Sequence, residues 1–335
     1  GLYYFIMKKF LGFGCQSPGD YAILRLFLGK RSQDHMDRKD ASNRREKMAV
    51  FWAFLAAALY TLNAPISKLL LKGVGPTMMA GLLYLGAGVG MFLLGFLRPK
   101  LGWGKSEQRL TKKDLPYVLG MILLDIAAPI CLMIGLATTT AANVSLLNNF
   151  EIVATSLIAL FIFHEKINQR LWLAIGLITL SSLMLSWEDP SAMKFSTGSL
   201  FVLLACICWG FENNCTRMIS RSDPLEIVVL KGFGSGIGSL LIAMIIKEVF
   251  PPLPLIGLSL LLGFVSYGLS IFCYVYAQRY LGAAKTSAYY AISPFLGVGL
   301  SLLIFQERPT PIFWIALIIM IAGTYFLAFP QEKKS

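Results

Sequence analysis

Charge is scarce in this chain. Only 14% of its 335 residues are Asp, Glu, Lys or Arg, against about 25% in an ordinary soluble domain. That shortage excludes a water-soluble fold, which must cover its outside with polar side chains. Histidine is nearly missing, with His35 and His164 alone. His164-Glu165-Lys166 does not start an HExxH zinc helix, because position 168 is Asn. The six cysteines, at 15, 131, 206, 208, 215 and 273, form no CxxC pair and no Cys/His cluster. Neither a metal site nor a disulfide framework is indicated. No GxxxxGK[ST] phosphate loop occurs, so ATP is not the expected energy source. A nucleophile–base pair is lacking as well, so no enzyme and no cofactor is expected.

Apolar residues fill the space that charge leaves. They make up 56% of the chain, aromatics 13%, and there are 30 glycines. The expected fold class is an all-α polytopic membrane protein. Ten runs approach the length of about 20 residues that a spanning helix needs. They are 48–71, 75–97, 115–137, 140–163, 169–187, 198–219, 224–246, 255–278, 283–305 and 310–329. Short connections such as Thr138–Thr139 make neighbouring spans antiparallel. The longer loop at 98–114 is polar and basic.

The formal net charge of +12 invites a nucleic-acid reading, but its placement argues for membrane topology. If residue 48 enters from the cytoplasm, 19 Lys and Arg lie inside and 5 outside. That is a strong positive-inside signal. A multi-pass protein of the cell (inner) membrane with both termini cytoplasmic is expected, without a nucleic-acid partner. Residues 1–47 read differently from the rest, and Met36 or Met48 would be sensible starts. This segment is expected to be a fragmentary or over-extended upstream sequence. The alternative is a short amphipathic cytoplasmic arm. Residues 330–335 would be a cytoplasmic tail.

The chain repeats itself. Pro76 and Gly86-Ala87-Gly88-Val89-Gly90 recur as Pro224 and Gly234-Ser235-Gly236-Ile237-Gly238. Phe163-His164-Glu165-Lys166 recurs as Phe305-Gln306-Glu307-Arg308, Ala141-Ala142 as Ala283-Ala284, and Trp172 as Trp314. Ser67-Lys68 matches Thr216-Arg217. Two five-span halves follow, 48–187 and 198–329. An odd span number turns the second upside down relative to the first, an architecture common among transporters. Gly86/Gly90 and Gly234/Gly238 have GxxxG spacing, which suits either a rocking surface between helices or static close packing.

On these residues the chain resembles the drug/metabolite transporter superfamily, in its EamA-type ten-span branch. The Ala-Ala entries to spans four and nine, the Phe-x-Glu-Lys/Arg ends and the duplicated halves carry the resemblance, over about 48–329. It implies a central cavity lined by spans from both halves, with spans five and ten more peripheral. It also implies a helix break at Ser293-Pro294 in span nine. The first half has Glu151-Ile152 at the matching place, so no break is expected there.

An ionisable residue at membrane depth costs roughly 2.5–3.5 kcal/mol on insertion scales and tends to face a cavity or a partner. Asp125, Glu151, Glu212 and Lys231 qualify. Glu151 shares a helix face with Asn148. It suits a substrate amine or a coupled proton, or else a hydrogen bond that locks helices together. Asp125 and Glu212 are rival partners for Lys231, as a buried ion pair or a coupling site. Pro129 leaves the Asp125 carbonyl without its helix partner. Tyr60, Asn63 and Pro65 in span one correspond to Trp209, Glu212 and Asn214 in span six. Matched irregular backbone is expected at both, with Tyr60 and Trp209 walling a central site. Tyr289 and Tyr290 join the expected lining, with Tyr274 and Tyr276 weaker members. Glu165 and Glu307 sit at span ends and read as caps or loop anchors.

The function that fits is a secondary transporter of small organic metabolites such as amino acids, by alternating access, with export the expected direction. Protons are a candidate coupling ion, and oligomeric state is open. The alternatives are an importer of the same fold and a membrane binding or sensor protein without transport.

Overall fold

Prolines start most of the helices. Pro76, Pro116, Pro224, Pro254, Pro294 and Pro311 each stand at the first or second helical position, where the missing N–H costs nothing. The computed structural model describes residues 45–97, 110–164, 168–189, 194–219, 222–281, 286 and 289–328. The segment 1–44, the tail 330–335 and Glu165 lie outside them. Ala49–Ser335 forms one compact unit, and every contact discussed below falls within it.

Ten helices follow in order among the described residues. They are α1 (Arg45–Leu70), α2 (Pro76–Leu97), α3 (Leu115–Thr138), α4 (Ala141–Leu147 and Phe150–Phe163) and α5 (Gln169–Ser186). Then come α6 (Thr197–Met218), α7 (Pro224–Ile245), α8 (Leu253–Gly263 continuing to Leu281), α9 (Ser293–Phe305) and α10 (Pro311–Ala328). Eight helices among the described residues are long and apolar enough to cross a membrane, and α9 and α10 are shorter apolar ones. A small departure from an all-helical chain lies between the halves. There β1 (Trp187–Asp189) pairs antiparallel with β2 (Lys194–Phe195). Large apolar side chains point outward, with Phe96, Leu123, Ile245, Leu303 and Ile318 all mostly exposed. Asp125, Glu212 and Asn63 are buried inside. This inversion of the soluble pattern is what a bilayer as solvent demands.

The packing carries the duplication. Each of α2, α4 and α5 packs on its own repeat mate, α7, α9 and α10. The α3–α6 contact is mirrored by α8 on α1, and the α2–α8 contact by α7 on α3. The helix ends repeat as well. α4 stops at His164 and α9 at Gln306, both left-handed non-glycine residues.

The glycines divide their work differently from the GxxxG expectation. A Cβ on Gly86 or Gly90 would run into Leu260 or Phe264 of α8, and one on Gly234 or Gly238 into Ile122 or Ile126 of α3. The α2–α7 crossing is made instead by Gly88 against Gly232 and by Gly236 against Leu85. Each glycine-rich helix thus serves two neighbours, one on each face.

Three helices are interrupted. α1 turns at Leu62, where Pro65 withholds its N–H from the ladder. α8 passes through a π-helical segment, Phe264–Leu269, before resuming at Ser270. α4 breaks at Asn148–Asn149, contrary to the expectation that the first half lacks a break. Asn149, Glu151 and Ile152 donate their backbone N–H groups three residues back, to Leu146, Asn148 and Asn149. The Asn149 side chain donates to the Leu146 carbonyl at 3.1 Å and competes with the ladder. No proline is needed. α9 starts after a matching turn at 291–292. The matched irregularity of spans one and six, by contrast, is not found. α6 is continuous, because the counterpart of Pro65 is Asn214, whose amide donates to the Gly210 carbonyl of its own helix at 2.8 Å.

Candidate functional site

Three helices bring charge to one buried place, and a fourth brings a hydroxyl. Lys231 of α7 lies 2.8 Å from Glu212 Oε1 of α6 and 3.2 Å from Asp125 Oδ2 of α3. The two acids are therefore not rivals, since the ammonium bridges both. Tyr84 of α2 donates its hydroxyl to Asp125 Oδ1 at 3.0 Å and accepts from Trp209 Nε1 at 3.3 Å. Thr216 donates to Glu212 one turn along α6. Asp125 is fully buried, and its Oδ2, though close to Lys231, has no hydrogen bond of proper geometry. Two carboxylates and one ammonium leave a single negative charge uncompensated if all are ionised. Burying an unbalanced charge is costly.

A second polar group forms at the α4 break. Glu151 opens the second segment of α4 and turns toward α6, where Asn213 Nδ2 donates to its Oε1 at 2.7 Å. The same amide donates to Thr155 Oγ1 at 3.1 Å. Asn148 stays beside Glu151 through the three-residue backbone bond between them. Ser145 Oγ, Asn148 Oδ1 and Asn149 Oδ1 are buried at this bend without a hydrogen-bond partner. Two of these are amide oxygens, which only accept. The bend is therefore short of donors, and a bound molecule carrying N–H groups would complete it.

Aromatic rings connect the two groups. Tyr84 packs on Tyr267 of the π segment with ring centres 5.1 Å apart, and Tyr267 packs on Tyr60 at 5.9 Å. Tyr60 meets Tyr290 at 5.9 Å, and Tyr290 meets Tyr274 at 5.1 Å. Asn63 donates to the Tyr267 hydroxyl at 3.0 Å and accepts from Ser67 at 3.1 Å, which holds this ring in place. Glu151 lies within electrostatic reach of Tyr60, Tyr267 and Tyr290. It also senses Glu212 and Lys231.

Sequence reasoning gave Tyr60, Asn63, Asn148, Glu151, Trp209, Tyr289 and Tyr290 as cavity lining and Asp125, Glu212 and Lys231 as a separate coupling site or ion pair; in the structure the two sets, Tyr289 excepted, are linked by the contacts above. Tyr289 stands apart, with its ring against Phe54 at 5.1 Å, and Tyr276 packs on Trp52 at 5.6 Å. Tyr84, Tyr267 and Asn213 were missed. The two tyrosines sit in apolar runs that mark them as packing. Asn213 directly follows Glu212, and that neighbour was the one available signal. No cluster of three or more metal-ligating side chains occurs among the described residues.

Two contacts tie the ends of the bundle. Lys68 of α1 donates to the carbonyls of Leu136, Ala137 and Thr139 at 2.6, 3.1 and 2.8 Å and so caps the C-terminus of α3. Glu307, after α9, has its carboxyl held above the usual range by partial burial, against the pull of Lys68. Glu248, after α7, accepts from the backbone N–H groups of Thr77 and Met78 at 3.0 and 2.7 Å, capping the start of α2.

Comparison with known proteins bears on what this assembly serves. A sequence model of the EamA-like transporter family matches residues 47–187 and again 196–329. An uncharacterized transporter of Methanothermobacter thermautotrophicus is 28% identical over 303 residues, covering 84% of this chain and 87% of that protein. Protein LicB of Haemophilus influenzae is 27% identical over 188 residues, covering 54% of this chain and 64% of its own length. A crystal structure sharing 16% identity superposes with a TM-score of 0.61, covering 83% of this chain and 95% of that one. At that identity the likeness establishes the fold alone.

Proposed function

The chain belongs to the EamA-like transporter family, and from that premise we propose that it moves a small, amine-bearing organic metabolite, such as an amino acid or a derivative, across the cell membrane. One observation carries the reading. Glu151 of α4, which forms no ion pair among the described residues and is held by the Asn213 amide, lies beside a bend that is short of donors. A protonated amine supplies both the positive charge that Glu151 lacks and the N–H donors that the unpartnered oxygens require. Glu151 and Asn148 hold its ammonium end, and Tyr60, Trp209 and Tyr290 its apolar part.

Alternating access follows from two halves of opposite orientation that share this region. Export is the proposed direction, with both termini in the cytoplasm, a placement that the Lys and Arg distribution supports. The driving force is the substrate gradient or exchange for protons. The test is a metabolite screen of cells with and without the gene. It is followed by counterflow of the strongest amine hit in proteoliposomes. Exchange that is saturable and lost in Glu151→Gln supports the proposal. Binding without counterflow would instead indicate a sensor, and a hit that accumulates only in expressing cells an importer.

A further inference from the structure

The Asp125–Lys231–Glu212 triad is not needed to hold the substrate, and its charges do not balance. Resting on the transporter reading above, we infer that this triad is the proton site of the protein, with one proton shared by Asp125 and Glu212 and separate from the amine site at Glu151.

The geometry supplies three arguments. First, a single ammonium lies 2.8 and 3.2 Å from oxygens of two carboxylates on different helices. One added proton makes the group neutral, and its removal leaves one negative charge in a place where Asp125 has no exposure at all. Second, Asp125 Oδ2 is buried and without a hydrogen bond, while Oδ1 already accepts from Tyr84, so Oδ2 is the Asp125 oxygen that no hydrogen bond holds. Third, among the described residues, the further groups seen to interact with the triad are neutral or acidic. From α2 comes Tyr84, from α6 Trp209, Cys215 and Thr216, and from α8 Tyr267. From α4 comes Glu151, at longer range. None of these supplies the missing positive charge.

Coupling follows from the electrostatic influence of one site on the other. A cation arriving at Glu151 is felt at Glu212 and Lys231, because the intervening medium is protein rather than water. Its charge disfavours the triad proton. The proton leaves as the amine binds and returns as the amine departs, which gives exchange in opposite directions. Tyr84 and Tyr267 add a mechanical link, since Tyr84 touches Asp125 at one end and packs on the ring next to Tyr60 at the other.

The proton can be read without knowing the substrate. The purified full chain in lipid nanodiscs is titrated from acid to alkaline pH, and infrared difference spectra follow the carboxylic-acid carbonyl stretch. The wild type is expected to lose a band of one buried carboxylic acid as pH rises. Asp125→Asn and Glu212→Gln each leave a balanced one-to-one ion pair, so each should lack that band, while Glu151→Gln keeps it. Tyr84→Phe removes a hydrogen bond to Asp125 and should shift the band without abolishing it. That variant decides the question if the triad variants do not fold. Absence of the band in the wild type overturns the proposal. So does its loss in Glu151→Gln, its survival in both triad variants, or an unshifted position in Tyr84→Phe. Loss in only one triad variant places the proton on that carboxylate and upholds the site. No transport enters this readout, so a failed counterflow screen and a failed titration are distinct results.

Discussion

His164 and Gln306 occupy equivalent places at the ends of α4 and α9, and both adopt left-handed backbone, at φ 52 and φ 50. Side chains rarely accept this conformation, and a left-handed residue other than glycine costs roughly 1–2 kcal/mol. The duplication has kept the turn in both halves with two different residues. Replacing either by glycine should raise stability by about 0.5–1 kcal/mol, the strain relieved less the entropy glycine loses on folding. Thermal unfolding in detergent, with the double variant showing the sum, would check it.

Gly232 of α7 leaves no space for a side chain against Gly88 of α2. Gly232→Val forces the two helices apart. Overpacking of this kind costs about 1–3 kcal/mol. Gly176, which has nothing near its Cβ position, is the internal control. The pair of variants should differ clearly in unfolding temperature, with Gly176→Ala at or above wild type.

Lys231→Met strands two acids in the interior. Breaking a buried ion group from one side costs about 3–5 kcal/mol. The triple variant Lys231→Met, Asp125→Asn, Glu212→Gln removes the charges together and should recover most of that loss. A stability order of wild type, then triple, then single variant is the expected result. Equal stability of the single variant and the wild type would contradict the assignment.

Glu151→Gln keeps an oxygen for Asn213 to donate to but removes the charge. Fold stability should change little. Affinity for the amine substrate should fall by roughly ten- to a hundredfold, the loss expected for about 1.4–2.8 kcal/mol. Competition in counterflow measures it. Asn213→Leu, which frees the carboxylate from its tether, should weaken binding less than Glu151→Gln does.

The ten helices and their duplication were legible because length and apolar content alone define a span. Lys231 was legible as a buried cation, but not its partners, since α3, α6 and α7 meet only in three dimensions. Glycine spacing showed that backbones approach closely without showing which neighbour each glycine serves. The Asn148–Asn149 bend read as a polar helix face, because a break made by side chains competing for backbone bonds has no proline to announce it. The same logic misled in α6. Its asparagine satisfies its own helix, where span one has a proline that cannot. Tyr84 and Tyr267 stayed hidden because a tyrosine in an apolar run signals packing until its hydroxyl partner is seen.

The π turn of α8 adds a subtler constraint. Such a turn accommodates one residue more than an ordinary helix of the same rise, so it acts as a phase adjuster between the two parts of α8. Trimming one residue from Phe264–Leu269 would tighten the coil and swing Tyr267 around the helix axis, out of reach of Asn63 and Tyr84 together. Length at this point of the chain is therefore as much a part of the aromatic bridge as the rings themselves.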